Sequence, residues 1–128
     1  MAKYKVCLVE DDPDVGAVVE MILKDYDCEI TNIRDVNSFR MLADKVMPDL
    51  IILDLMLPGI NGFEICQYFR NRAETADTPI LAFTGYDSVD NQKKIMAAGA
   101  TDYSPKPFDI KSFKFKVKKL LKISDPLE

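Results

Sequence analysis

Apolar residues along this 128-residue chain fall into short blocks whose spacing switches repeatedly between two periods. Tyr4 to Val9, Glu29 to Ile33, Leu50 to Leu53, Pro79 to Phe83 and Ala100 to Tyr103 are runs of strand length. Leu50-Ile51-Ile52-Leu53 is apolar without a break, which suits a strand covered on both faces, as in a parallel sheet. Glu29 to Ile33 is the weakest run and is expected near a sheet edge. Between these runs apolar positions recur every three or four residues, the spacing of a helix with one buried face. After Pro13 that stripe is Val15, Val18, Val19, Ile22 and Tyr26, with Ala17 and Met21 off it. From Asn37-Ser38 it is Phe39, Leu42, Ala43 and Val46; after Gly62 it is Phe63, Ile65, Cys66 and Phe69. A fourth helix, capped by Ser88 or Asp90, runs through Ile95 and Met96 and stops at Gly99.

The last segment satisfies both periods. Phe113 to Lys118 alternates like a strand, whereas Ile110, Phe113, Val117, Leu120 and Leu121 share a helical face over a length more usual for helices. The helix is preferred, which leaves Phe115 partly exposed. Five strands alternating with five helices predict an α/β domain with a parallel sheet and helices on both faces. The length fits one domain that buries about two-thirds of its unfolded surface.

Composition narrows the chemistry. The net charge of −4 gives no reason to expect direct nucleic-acid binding. No apolar run approaches the roughly 20 residues of a membrane span, and the N-terminus lacks a signal-peptide pattern, so a cytoplasmic protein is expected. Cys7, Cys28 and Cys66 form no C-x-x-C pair and read as buried free thiols in a reducing compartment. The chain has no histidine, which excludes Ser-His-Asp and Cys-His catalysis and histidine-ligated metals. A metal held here needs oxygen ligands, which points to magnesium, calcium or manganese.

In open α/β sheets ligands bind beyond the C-terminal ends of the strands. This chain brings Glu10, Asp11 and Asp12 there from the first strand and Asp54 from the third. The fourth strand brings Thr84, and the fifth leads to Lys106. An ionised Asp54 at the end of a dry strand needs a partner, and clustered carboxylates stay ionised together only with a cation between them.

Together these residues resemble the receiver domain of two-component response regulators. The resemblance rests on Glu10-Asp11-Asp12, on Asp54 with Met56-Leu57-Pro58 and Gly62, on Thr84-Gly85, and on Gly99 to Tyr103 leading to Lys106-Pro107-Phe108. It spans a core of about residues 4–122 of a single domain taken as 1–128, and its motifs occur in the right order on the right elements. It implies a flavodoxin-like, doubly wound (βα)5 fold with strand order 2-1-3-4-5. It also implies that Asp54 accepts a phosphoryl group from a sensor histidine kinase or phosphotransfer protein. Magnesium is then held by Asp12, Asp54 and the Met56 backbone carbonyl, with Asp11 acting largely through water. Lys106 pairs with a phosphoryl oxygen and precedes a cis bond to Pro107, while Thr84 and Tyr103 form a switch. The surface of the fourth helix, fifth strand and fifth helix then changes to control an output domain or a target protein. Such a domain is a phosphoacceptor rather than an enzyme, and catalyses only its own phosphorylation and dephosphorylation. Met56 and Tyr86, two residues beyond Asp54 and Thr84, are bulky and poor at orienting water, so slow self-dephosphorylation is expected.

Three other readings fit less well. A flavin binder of the same architecture needs a phosphate-holding first loop, which Glu10-Asp11-Asp12 would repel. A haloacid-dehalogenase-type phosphohydrolase needs a second Asp two residues after the nucleophile, where Met56 stands. A degenerate receiver serving only as a scaffold would lack part of the acid set or the lysine, and this chain lacks neither.

Overall fold

Strand β3 (Leu50–Asp54) is buried along its whole length and runs through the middle of a five-stranded parallel sheet. The computed structural model describes residues 3–55, 57–85, 89–105 and 109–123. The sheet also contains β1 (Tyr4–Val9), β2 (Cys28–Ile33), β4 (Ile80–Thr84) and β5 (Asp102–Pro105), in the order β2-β1-β3-β4-β5. This is the flavodoxin-like order, and the weak β2 lies at an edge as its sequence predicts. Successive residues face opposite sides of each strand, so the sheet divides the apolar residues between two cores. Cys7, Val9, Ile51, Leu53, Ile80 and Ala82 enter one core; Val6, Leu8, Leu50, Ile52, Leu81 and Phe83 enter the other.

Helices α1 (Pro13–Leu23) and α5 (Ile110–Leu121) cover the second core. Helices α2 (Val36–Leu42), α3 (Gly62–Asn71) and α4 (Val89–Ala97) cover the first. The final segment is therefore a helix, started by Asp109, whose carboxylate accepts from the Lys111 amide at 3.2 Å. Phe113, Val117 and Leu121 are buried, and the Phe113 ring stacks on Phe83 with centroids 5.2 Å apart. Phe115 faces solvent as expected, but so does Ile110, which the helical stripe had placed inward. Ile110 is the first residue of α5 and belongs to neither core.

Other boundaries differ for local reasons. Helix α2 starts before Asn37 because Asp35 is its cap: Asp35 accepts from the Ser38 amide at 2.8 Å, and the Ser38 hydroxyl accepts from the Asp35 amide at 3.1 Å. Asp90 lies inside the first turn of α4 rather than capping it, and Ser88 lies outside the described residues. Strand β5 begins later than Ala100 because the end of α4 consumes that stretch. Gly99 takes φ +115°, its amide donates to Met96 O, and the Ala100 amide donates to Ile95 O, a Schellman closure. Leu23, omitted from the sequence stripe, is fully buried. Cys28 is only half-buried. Burial pushes the Cys7 thiol up to about 12 and also raises Cys66 and Cys28.

The end of the sheet away from the strand C-termini is tied by two arginines. Arg70 Nε donates to Gly99 O at 2.8 Å, and its Nη1 donates to the carbonyls of Thr75, Ala76 and Thr78 at 3.1, 3.2 and 2.6 Å. Arg72 donates to the Ala43 and Val46 carbonyls and pairs with Glu74 at 2.9 Å. Among the described residues no helix is long and apolar enough to cross a membrane.

The two readings of the last segment make opposite demands on its aromatic residues. Phe113→Ala is expected to lower stability by about 3–5 kcal/mol in urea unfolding, whereas Phe115→Ala stays within about 0.5 kcal/mol of the parent. Equal losses would mean that α5 does not pack as described.

Candidate functional site

The strand order reverses between β1 and β3, which open a crevice at their C-terminal ends. β1 pairs with β3 through Val9 and Leu53, so the residues that follow them emerge side by side. Carboxylate oxygens of Glu10, Asp11 and Asp54 lie within 4.8 Å of one another. Glu10 and Asp54 are each only 3% exposed, whereas Asp11 is exposed. The Glu10 amide donates to Ile33 O at 3.0 Å, which extends the β1–β2 ladder past Val9 and turns Glu10 into the crevice floor.

Asp12 is not in that cluster. Pro13 occupies the first helical position of α1, so Asp12 is the cap, and its carboxylate accepts from the Asp14 amide at 2.9 Å. Its own amide donates a long 3.4 Å hydrogen bond to Glu10 Oε2. Of the four acids that the sequence brings to this edge, the geometry groups Glu10, Asp11 and Asp54, while Asp12, which the resemblance made a direct metal ligand, caps α1. Pro13 was the available signal: a proline at the first helical position commits the preceding acid to the helix end and leaves the two before it to the crevice.

The remaining candidates sit around this group to different extents. Asp54 pairs with Phe83 across β3 and β4, and Thr84, next along β4, pairs with Pro105 of β5. That places the Thr84 backbone at the same sheet end as Asp54; its side chain lies outside the described part of the structure. Met56, Tyr86, Lys106 and Pro107 lie outside the described residues. Tyr103 is half-buried on β5 against the core covered by α2, α3 and α4.

Local packing fixes the loop that follows Asp54. Asn61 caps α3, accepting from the Phe63 amide at 2.7 Å, and Gly62 then passes against the chain just beyond Asp54. A Cβ at Gly62 would stand 2.5 Å from Leu55 Cα and 2.8 Å from Leu55 O, closer than real carbon atoms approach. Only glycine lets α3 start there.

Chemically the crevice offers two buried carboxylates and one exposed carboxylate in mutual repulsion. That donor set fits a hard divalent cation, which takes oxygen ligands and often keeps several waters.

Comparison with known proteins agrees with the fold. The model of the response regulator receiver domain matches residues 6–118, and the chain belongs to that family. The DNA-binding dual master transcriptional regulator RpaA of Synechocystis sp. is 34% identical over 121 residues, covering 94% of this chain and 50% of that protein. The chain spans about half the length of the curated relatives it matches. The signal receiver domain of a DNA-binding response regulator from Colwellia psychrerythraea 34H superposes with a TM-score of 0.86 at 27% identity, covering 94% of this chain and 99% of that one. The receiver domain of a sensor histidine kinase from Pseudomonas aeruginosa PAO1 does so at 0.83 and 25% identity, over 94% and 99% of the chains. That crystal structure has a magnesium ion coordinated in its active-site cleft.

Gly62→Ala tests the close approach beside Asp54. It is expected to lower stability by about 1–3 kcal/mol in urea unfolding, because the Leu55 backbone must shift. An unchanged midpoint would mean that the loop yields without cost.

Proposed function

We propose that this receiver domain takes a phosphoryl group onto Asp54 from a phosphohistidine of a sensor histidine kinase or phosphotransfer protein, and that the change is passed to an output domain or target protein. The observation that supports this most directly is the buried Asp54 carboxylate grouped with Glu10 and Asp11 at the strand-order reversal. A carboxylate oxygen of Asp54 attacks phosphorus, the phosphorus–nitrogen bond breaks, and the departing imidazole nitrogen keeps the electron pair. The product on this chain is an acyl phosphate. A carboxylate needs no general base, so the absence of histidine is no obstacle.

Asp11 and Asp54 are the residues we assign to a magnesium ion, with Glu10 beneath them and the Met56 carbonyl as a further donor. When bound, the ion offsets the negative charge of the carboxylates and the phosphoryl oxygens. Asp12 serves α1 instead, fixing the position of the acidic loop. Lys106 is assigned to a phosphoryl oxygen, Thr84 to a hydrogen bond with the new group, and Tyr103 to the conformational response behind it. The surface of α4, β5 and α5 then shifts between two populations. Met56 and Tyr86 slow loss of the phosphoryl group by obstructing water. The scaffold reading, in which the domain works without phosphorylation, has no comparable observation behind it, because the acidic set is complete.

Incubation with magnesium and a small phosphodonor is expected to add the mass of one phosphoryl group, and Asp54→Asn is expected to abolish the gain. Absence of any mass gain or beryllofluoride response in the parent protein would leave the scaffold reading in its place. The acid assignment has its own test by calorimetric titration. Asp11→Asn should weaken magnesium binding by about 10–100-fold or more. Asp12→Asn should leave it near the parent value, since asparagine caps a helix as well as aspartate does. The reverse pattern would restore Asp12 as the ligand.

A further inference from the structure

Tyr103 and Lys116 lie in different layers of the molecule. Tyr103 packs against the core under α2, α3 and α4, whereas the buried residues of α5, Phe113 and Val117, fill the core on the other side of the sheet. Lys116 reaches between the two layers at the free edge of β5. Its Nζ donates to the Tyr103 carbonyl at 2.6 Å and lies 5.5 Å from the centroid of the Tyr103 ring. The Tyr103 amide is also taken, donating to Asp102 Oδ1 at 2.8 Å. Both backbone groups that an edge strand would offer to another strand at this position are therefore satisfied by side chains. A single ammonium group fixes the main chain of Tyr103 and attracts the face of its ring.

We infer that Lys116 is a positioning residue for the switch: it holds Tyr103 in the ring position seen here and so sets how much of the population reaches the other position before phosphorylation. This inference rests on the reading of Tyr103 as the residue that responds to Asp54. The backbone hydrogen bond persists whatever the ring does, so the bias comes from the ammonium–ring attraction. That attraction at a partly exposed site corresponds to about a two- to fivefold change in the ratio of the two ring positions. Because Lys116 belongs to α5, any partner that draws on this side chain acts on the same ratio from the opposite face of the sheet.

The test uses the full chain with isotopically labelled tyrosine, the Tyr103 ring resonance being assigned with Tyr103→Phe. Resonances are recorded with and without magnesium and beryllofluoride. In the parent protein the Tyr103 resonance is expected to move on adding beryllofluoride. In Lys116→Met without beryllofluoride it should already lie part of the way along that path, by a two- to fivefold change in population ratio. Lys116→Arg keeps the charge and the donor and should restore the parent position. A Tyr103 resonance unmoved by Lys116→Met, or Lys116→Arg behaving like Lys116→Met, would overturn the inference. If beryllofluoride binds the parent but leaves Tyr103 unmoved, the switch reading itself falls and takes this inference with it. That outcome is distinct from the first, in which Tyr103 responds to beryllofluoride and ignores Lys116.

Discussion

Three carboxylates confined to one crevice, two of them nearly sealed from water, are the constraint on which the other features depend. Like charges at such separations repel strongly in a medium less polar than water. Such a convergence of acids is unusual for a purely structural edge and is the kind of place where a cation is accommodated. The rest of the domain holds them in place. An unbroken apolar strand delivers Asp54 from the driest part of the sheet, and the ladder past Val9 turns Glu10 inward. Asp12 satisfies the start of α1 at the same sheet end.

The sheet also acts as a ruler. Asp54 is in register with Phe83, and Thr84 is in register with Pro105, so three successive strands present their ends in step. Any change at Asp54 is one residue pair away from β4 and two strands away from β5. The Phe83–Phe113 stack joins β4 to α5 on one face, and Lys116 joins α5 to Tyr103 on the other. Both routes converge on the same helix, which makes α5 the element best placed to combine what happens on the two faces.

Much of this was legible in the sequence because it depends on local rules. The apolar run at Leu50 to Leu53 defined a central strand, Gly99 marked the end of α4, and Asp54 stood where a buried acid needs explanation. What escaped depends on contacts between distant segments or on competition between neighbours. Asp11 and Asp12 look interchangeable as letters, and only the geometry that Pro13 imposes separates the crevice acid from the helix cap. Ile110, placed inward by the pattern, is exposed, and Leu23, which the pattern did not place, is buried, because helix ends do not share the environment of helix middles. The Lys116–Tyr103 contact joins opposite layers of the fold, and no periodicity along the chain announces such a pair.

The guanidinium of Arg70 has a consequence for how this fold can vary. One side chain accepts responsibility for the carbonyls of Thr75, Ala76 and Thr78 in one connection and of Gly99 in another, and it also reaches the Thr101 hydroxyl. The connections before β4 and before β5 are consequently not independent parts. Lengthening either one would strand acceptors in both, so insertions, graft points and split sites belong at the other connections of the chain. At that end of the sheet, a single cation makes two loops behave as one mechanical unit.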